Sequence, residues 1–227
     1  MPIVDYIQIP TVELINHFIE EFDNNPQNII DERAVRSIFE TYNDRSLQSV
    51  YIKTILLNNR YSAGLNDHQS SKKRARKIAI DVLTMASIIH NQYEDCSNIH
   101  DVIDSIERIN RIVSMNYYSA NSFISKYYYW AYSQNEDISV PIYDGYVKGM
   151  TYYLGQKLDY LNNPQNESVT QFRTSMASYS NYHTRYMDTL RQICEQLGVQ
   201  FTVRQFDKYL WTYGKSLNKE YSIDIKL

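Results

Sequence analysis

The sequence predicts an all-α protein, and three observations carry that expectation. Apolar residues recur at helical spacing along most of the chain, with no convincing run of strand-like alternation. Six glycines and five prolines in 227 residues are too few for the many tight turns of a sheet-rich fold. Hydrophobic residues make up 43% and charged residues 22%, so the chain has ordinary globular composition and enough apolar material for a core. No internal repeat or low-complexity linker divides it. The expectation is one compact multi-helix domain spanning 1–227. Two abutting lobes, about 46–113 and 114–217 with 1–45 as amino-terminal helices, are the alternative arrangement.

The elements follow in order. Val12, Leu14, Ile15, Phe18, Ile19 and Phe22 have helical period, and "DNNP" stops them. A second segment, roughly 31–42, puts Ala34, Val35, Ile38 and Phe39 on one face. Residues 46–59 are apolar on most sides and so belong centrally in the core. They end in the polar stretch "NNRYSAGLNDHQSS". A fourth helix starts at the basic "KKRARK" and carries Ile78, Val82, Met85, Ala86 and Ile89 inward. Ser97 is the expected cap of a fifth, with Ile99, Val102, Ile103, Ile106, Ile109 and Val113 at helical spacing. Residues 122–133 read as a sixth and 145–162 as a seventh. One or two helices fill 168–198, where Gly198 is the stop, and 202–217 is the last.

Composition also excludes functions. Cys96 and Cys194 cannot assemble a four-thiolate cluster or a zinc site unaided, and the five histidines are scattered, so no metal or other cofactor is expected. Two buried thiols are the expected state of the cysteines. No apolar run approaches the ~20 residues of a membrane span, and the amino terminus lacks the pattern of a signal peptide. The expectation is a cytoplasmic monomer with no membrane partner. Net charge is −3, yet residues 1–67 hold ten acids against five bases while residues 68–80 hold five bases and no acid. Lys72, Lys73 and Arg74 lie in that basic stretch, which suits either a solvated cationic face or a phosphate backbone.

One constellation carries chemistry. In "SFISKYYYWAYSQNEDISVPIYDGYV" (122–147), Lys126 precedes an aromatic run, and Asp144 follows 18 residues later behind a Val-Pro-Ile-Tyr lead. A lysine in an apolar-walled pocket has its ammonium form disfavoured, which frees the amine for attack at a sugar C1′ or a carbonyl. An aspartate at a helix start stays ionised and can stabilise a developing oxocarbenium ion. The same residues also fit a helix N-cap, a solvent-facing lysine, and an aromatic run that simply packs a helix.

"SFISK" followed by "VPIYDGYV" resembles the active-site segment of the helix-hairpin-helix DNA glycosylases, in particular the 8-oxoguanine DNA glycosylase-like branch and its bacterial relatives. The resemblance covers about 46–217 in the order of its parts, with sharp matches in three short windows. It implies that Lys126 is the nucleophile and Asp144 the aspartate that opens the next helix. "LLNNRYSAGL" (56–65) resembles the turn that fills the gap left by an extruded base, making Asn58, Asn59, Arg60 and Tyr61 DNA-contact candidates alongside the basic stretch. "RQFDKYLWTYGKSL" (204–217) resembles the helix bordering the base pocket, with Asp207 and Trp211 its candidates. The implied partner is double-stranded DNA carrying a damaged or modified base, with the protein nucleoid-associated if bacterial. One departure stands out. The usual hairpin turn is glycine-rich, whereas "SMNYYSANSFISK" has none, leaving Ser119, Ala120 and Asn121 to serve. A non-catalytic nucleic-acid binder on the same scaffold and an all-helical protein-interaction module are the alternatives.

Overall fold

A computed structural model describes residues 3–60, 65, 80–117, 119–135, 137–158, 168–222 and 224–227. Among them the chain forms a 3-10 turn (Ile3–Tyr6), ten α-helices and no strand. The helices are α1 (Val12–Asp23), α2 (Pro26–Thr41), α3 (Leu47–Arg60), α4 (Val82–Gln92), α5 (Ile99–Asn116), α6 (Asn121–Ala131), α7 (Gly145–Leu158), α8 (Val169–Ser175), α9 (Tyr179–Leu197) and α10 (Val203–Tyr221). The all-α expectation is therefore met.

Side-chain caps set most boundaries, and they correct several sequence expectations. Thr11 Oγ1 accepts the Leu14 amide and opens α1. α2 starts at Pro26, not near 31, because Asn25 Oδ1 accepts the Gln27 and Asn28 amides and proline suits the first helical position. α4 starts at Val82 behind the Asp81 cap, so Ile80 and Asp81 are outside any helix, and the helix start expected over 72–79 lies outside the described residues. α5 is capped by Asn98 and not by Ser97. Asn98 Oδ1 takes the His100 and Asp101 amides, while Ser97 donates its own amide and hydroxyl to Asp101. The stretch 168–198 is two helices, α8 capped by Ser168 and α9 by Ser178. Gly198 ends α9 at φ 65°, a left-handed conformation that favours glycine.

The chain makes two compact units, one of Met1–Asn28 with Pro141–Leu227 and one of Ile29–Val140. In the first, α10 packs on α1 and α7, and α7 on α9. Phe18 stacks on Tyr213 with ring centroids 4.7 Å apart. The carboxy-terminal tail is built into the same unit: Ile225 is fully buried, and the Leu227 amide bonds Gly145 O at 3.2 Å. Gly149 is required there, since a Cβ at that position would lie 1.8 Å from Ile225 O. In the second unit α3 packs on α4 and α6, and α5 on α4 and α6. Its core includes Leu57, Met85, Ala86, Ile89, Val102, Ile106, Ile109, Val113, Phe123 and Ile124, all at 0% exposure.

Candidate functional site

Lys126 stands in the middle of α6 and is 5% exposed. Its Nζ donates to Ser122 Oγ, one turn earlier, at 3.2 Å. Among its helix neighbours Phe123, Ile124, Tyr127, Tyr128 and Trp130 are buried as well. The aromatic run is thus the packed body of the helix. Tyr128 OH shares a 2.5 Å hydrogen bond with Ser105 Oγ of α5, and Tyr127 meets Phe39 edge to face. A lysine serving only to keep its charge in water would carry the amine outward along an apolar surface. This one is enclosed.

The turn between α5 and α6 is organised by Asn110. Its Oδ1 accepts from the Ala120 amide at 3.0 Å, from Ser119 Oγ at 3.1 Å and from Ser114 Oγ at 3.5 Å. A left-handed residue was one way to close a turn without glycine, but Asn121 is already inside α6, and Ser222 is the only described non-glycine with positive φ. One side-chain carbonyl collecting three donors fixes the turn instead.

Asp144 occupies the cap position of α7. Its Oδ1 accepts the Tyr146 amide at 2.8 Å and its carbonyl accepts the Lys148 amide at 2.9 Å, so the ordinary cap geometry is present. The segment that delivers it is clamped by two tyrosines of α9, and a third on the same face holds the start of α10. Tyr179 OH donates to Pro141 O at 2.8 Å, Tyr182 OH to Ile142 O at 2.6 Å, and Tyr186 OH to Val203 O at 2.9 Å. All three tyrosines are completely buried, and their spacing of three and four residues puts them on one helix face. From the other side, Asp207 Oδ2 accepts the Ile142 amide at 3.3 Å. Two residues ahead of Asp144, then, both backbone groups of Ile142 are spoken for.

Asp207 is 3% exposed, and burial pushes its carboxyl up to about 7, against the opposing pull of the Arg204 guanidinium. The structure brings Asp207 to the Asp144 segment. It does not place Trp211 there: Trp211 meets Phe22 of α1 edge to face at 5.7 Å and lies under the Lys215 amine at 4.2 Å. Asn58, Asn59 and Arg60 form the last turn of α3. Asn58 Oδ1 accepts the Leu65 amide at 3.2 Å, Asn59 is exposed, and Arg60 pairs with Asp31 at 3.2 Å. Tyr61, Lys72, Lys73 and Arg74 lie outside the described residues.

Sequence reasoning missed Lys148, one turn after Asp144. Burial pulls its amine down to about 8 even with Asp144 acting in the other direction, and the amine sits 4.1 Å from the centre of the Tyr143 ring. The spacing Asp144-x-x-x-Lys148 at a helix start was a legible signal, since residues four apart share a face. Both cysteines are buried and free, as expected. Among the described residues no group of three or more His, Cys, Asp or Glu side chains could hold a metal, and no helix is long and apolar enough to cross a membrane. Set against known proteins, the chain matches no family model, no curated protein and no solved structure.

Proposed function

We propose that the chain is a DNA glycosylase with lyase activity. It binds duplex DNA through phosphate contacts and turns a damaged or modified nucleotide out of the stack, at a cost of a few kcal/mol that is least for a weakened pair. Asn58 and Asn59 enter the vacated space. The Lys126 amine attacks C1′, the glycosidic bond breaks, and the base leaves with the bonding pair and one of the amine's protons. The C1′–O4′ bond then breaks, O4′ takes the amine's remaining proton, and the resulting Schiff base loses a C2′ proton and expels the 3′ phosphate by elimination. Asp144 stabilises the cationic sugar.

The observation that carries this reading is the enclosure of Lys126, at 5% exposure in an aromatic-rich helix. Asp144 at the start of the next helix, behind a backbone segment bonded from both sides, is consistent with a carboxylate whose position matters.

Borohydride trapping tests the mechanism. Reduction of the Schiff base on lesion-containing duplexes is expected to crosslink the wild-type chain to DNA, and Lys126→Ala is expected to abolish the crosslink. Trapping that survives Lys126→Ala unchanged would overturn the assignment. DNA binding without cleavage on any base tested, unaffected by Lys126→Gln and Asp144→Asn, would leave the chain a non-catalytic binder.

A further inference from the structure

The second unit holds a cleft of about 440 Å³ that the proposed glycosylase chemistry does not use. Its wall comes from α2, α3, α4, α6 and the links after α2, α4 and α6. Lys53 of α3 faces into it and is only 7% exposed. Its Nζ lies 5.2 Å from the centre of the Phe39 ring and makes no hydrogen bond or ion pair with any described residue. A second cation, Arg36 of α2, lies over the Trp130 ring at 6.0 Å and is also without an ion pair among the described residues.

That arrangement is costly unless something answers it. Taking an ammonium out of water is unfavourable by several kcal/mol, and one cation–π contact returns only about 0.5–2 kcal/mol. Burial accordingly depresses the Lys53 amine's proton affinity, with Asp44 acting weakly against it. The acids of the wall are engaged elsewhere. Asp95 pairs with Arg45, Glu40 accepts from Gln134 Nε2, and Asp44 is turned onto the Ser46 amide. Two cations without a carboxylate partner, one buried and one at the surface, match a compact group with several acceptor oxygens and up to two negative charges.

We propose that this cleft is a phosphate subsite, in which Lys53 Nζ and the Arg36 guanidinium take the oxygens of one phosphate. The phosphate belongs either to a free nucleotide or to a nucleic-acid strand. Both offer the same oxygens to the two cations.

The test is binding to the full chain at constant ionic strength, read by calorimetry and by melting temperature. The probes are inorganic phosphate, a nucleoside monophosphate, and a short DNA strand without terminal phosphates. The wild-type chain is expected to bind at least one of them saturably, with its melting temperature rising alongside. Lys53→Met is expected to weaken that binding by about tenfold or more, the loss of one charged hydrogen-bonding partner. Met replaces the buried charge with a side chain of similar length, so the variant is expected to melt at or above the wild-type temperature without ligand. Binding of the monophosphate but not of the strand identifies a phosphomonoester ligand, and the reverse identifies a backbone phosphate. Either pattern supports the subsite. Unchanged binding in Lys53→Met, or no saturable response to any probe, overturns it. Lys126 is untouched in this variant, so failure of trapping and failure of phosphate binding are separate results.

Discussion

At the scale of single residues, Asp207 ties stability to pH. One carboxylate oxygen takes the Ile142 amide, while the other is buried without a hydrogen-bond partner. The Tyr186 hydroxyl beside it has one proton and gives it to Val203 O. Burial disfavours the charged carboxylate, and the hydrogen bond from Ile142 and the nearby Arg204 only partly offset it, which is why its affinity for a proton is raised from the ordinary 3.8 to about 7. The sign follows from where the proton is held. Between these two values the folded chain keeps a proton that the unfolded chain has released, so stability falls as pH rises through this window and stays lowered above it. The full effect is on the order of 4 kcal/mol. Asp207→Asn keeps an acceptor for Ile142 and cannot ionise. Its melting temperature, followed from about pH 4 to pH 8, is expected to lose the decline that the wild-type chain shows. Parallel curves for the two proteins would refute the assignment.

At the scale of elements, α9 is a ruler for the segment that ends at Asp144. Tyr179 and Tyr182 reach the Pro141 and Ile142 carbonyls, which lie outside any helix, and from the same face Tyr186 reaches the Val203 carbonyl in the first residue of α10. Tyr182→Phe takes the hydroxyl donor from the Ile142 carbonyl, which keeps the Asp144 amide at 2.9 Å, and leaves the ring packing in place. Urea denaturation is expected to show a loss of about 0.5–1.5 kcal/mol, and a loss below about 0.5 kcal/mol would mean that the hydroxyl is not what holds the segment. None of this was legible in the 22 tyrosines of the sequence. Their spacing on α9 announces a buried face, but not which carbonyls lie opposite, because those sit about 40 residues away in α9's pairings with Pro141 and Ile142. Helix existence was legible for the opposite reason: periodicity is local, as the burial of Val102, Ile106, Ile109 and Val113 along α5 shows. Boundaries were missed where two residues compete to cap, as Ser97 and Asn98 do. Lys126 and Asp144 could be singled out by motif, yet enclosure of the one and clamping of the other are properties of neighbours brought from elsewhere in the chain. The Lys53 cleft gave no sequence signal at all, since Lys53 and Arg36 come from two different helices, α3 and α2, and only the packing brings them to one cleft.

At the scale of the whole molecule, the chain begins in one unit, passes through the other, and returns at Pro141. The 18 residues from Lys126 to Asp144 therefore cross from the second unit to the first. A unit assembled from both chain ends leaves no composition shift to mark it. Charge is distributed just as unevenly. A chain of net charge −3 repels a polyanion on average, so any DNA affinity must come from a local excess of cations, and the one dense cluster is at 72–77. Each phosphate neutralised by such a cation contributes about 0.9 to the slope of log affinity against log salt. Replacing Lys72, Lys73 and Arg74 together by Gln is therefore expected to flatten that slope by roughly 2–3 and to weaken duplex binding most at low salt. Lys126→Ala makes the matching control. Its amine is assigned to a sugar carbon and not to a phosphate, so affinity and slope are expected to stay at wild-type values while trapping is lost. A triple variant with an unchanged slope would show that the basic stretch does not touch the backbone. A Lys126→Ala variant with a flattened slope would show that its amine binds phosphate, and the nucleophile would have to be sought elsewhere, with Lys148 beside Asp144 the first residue to substitute.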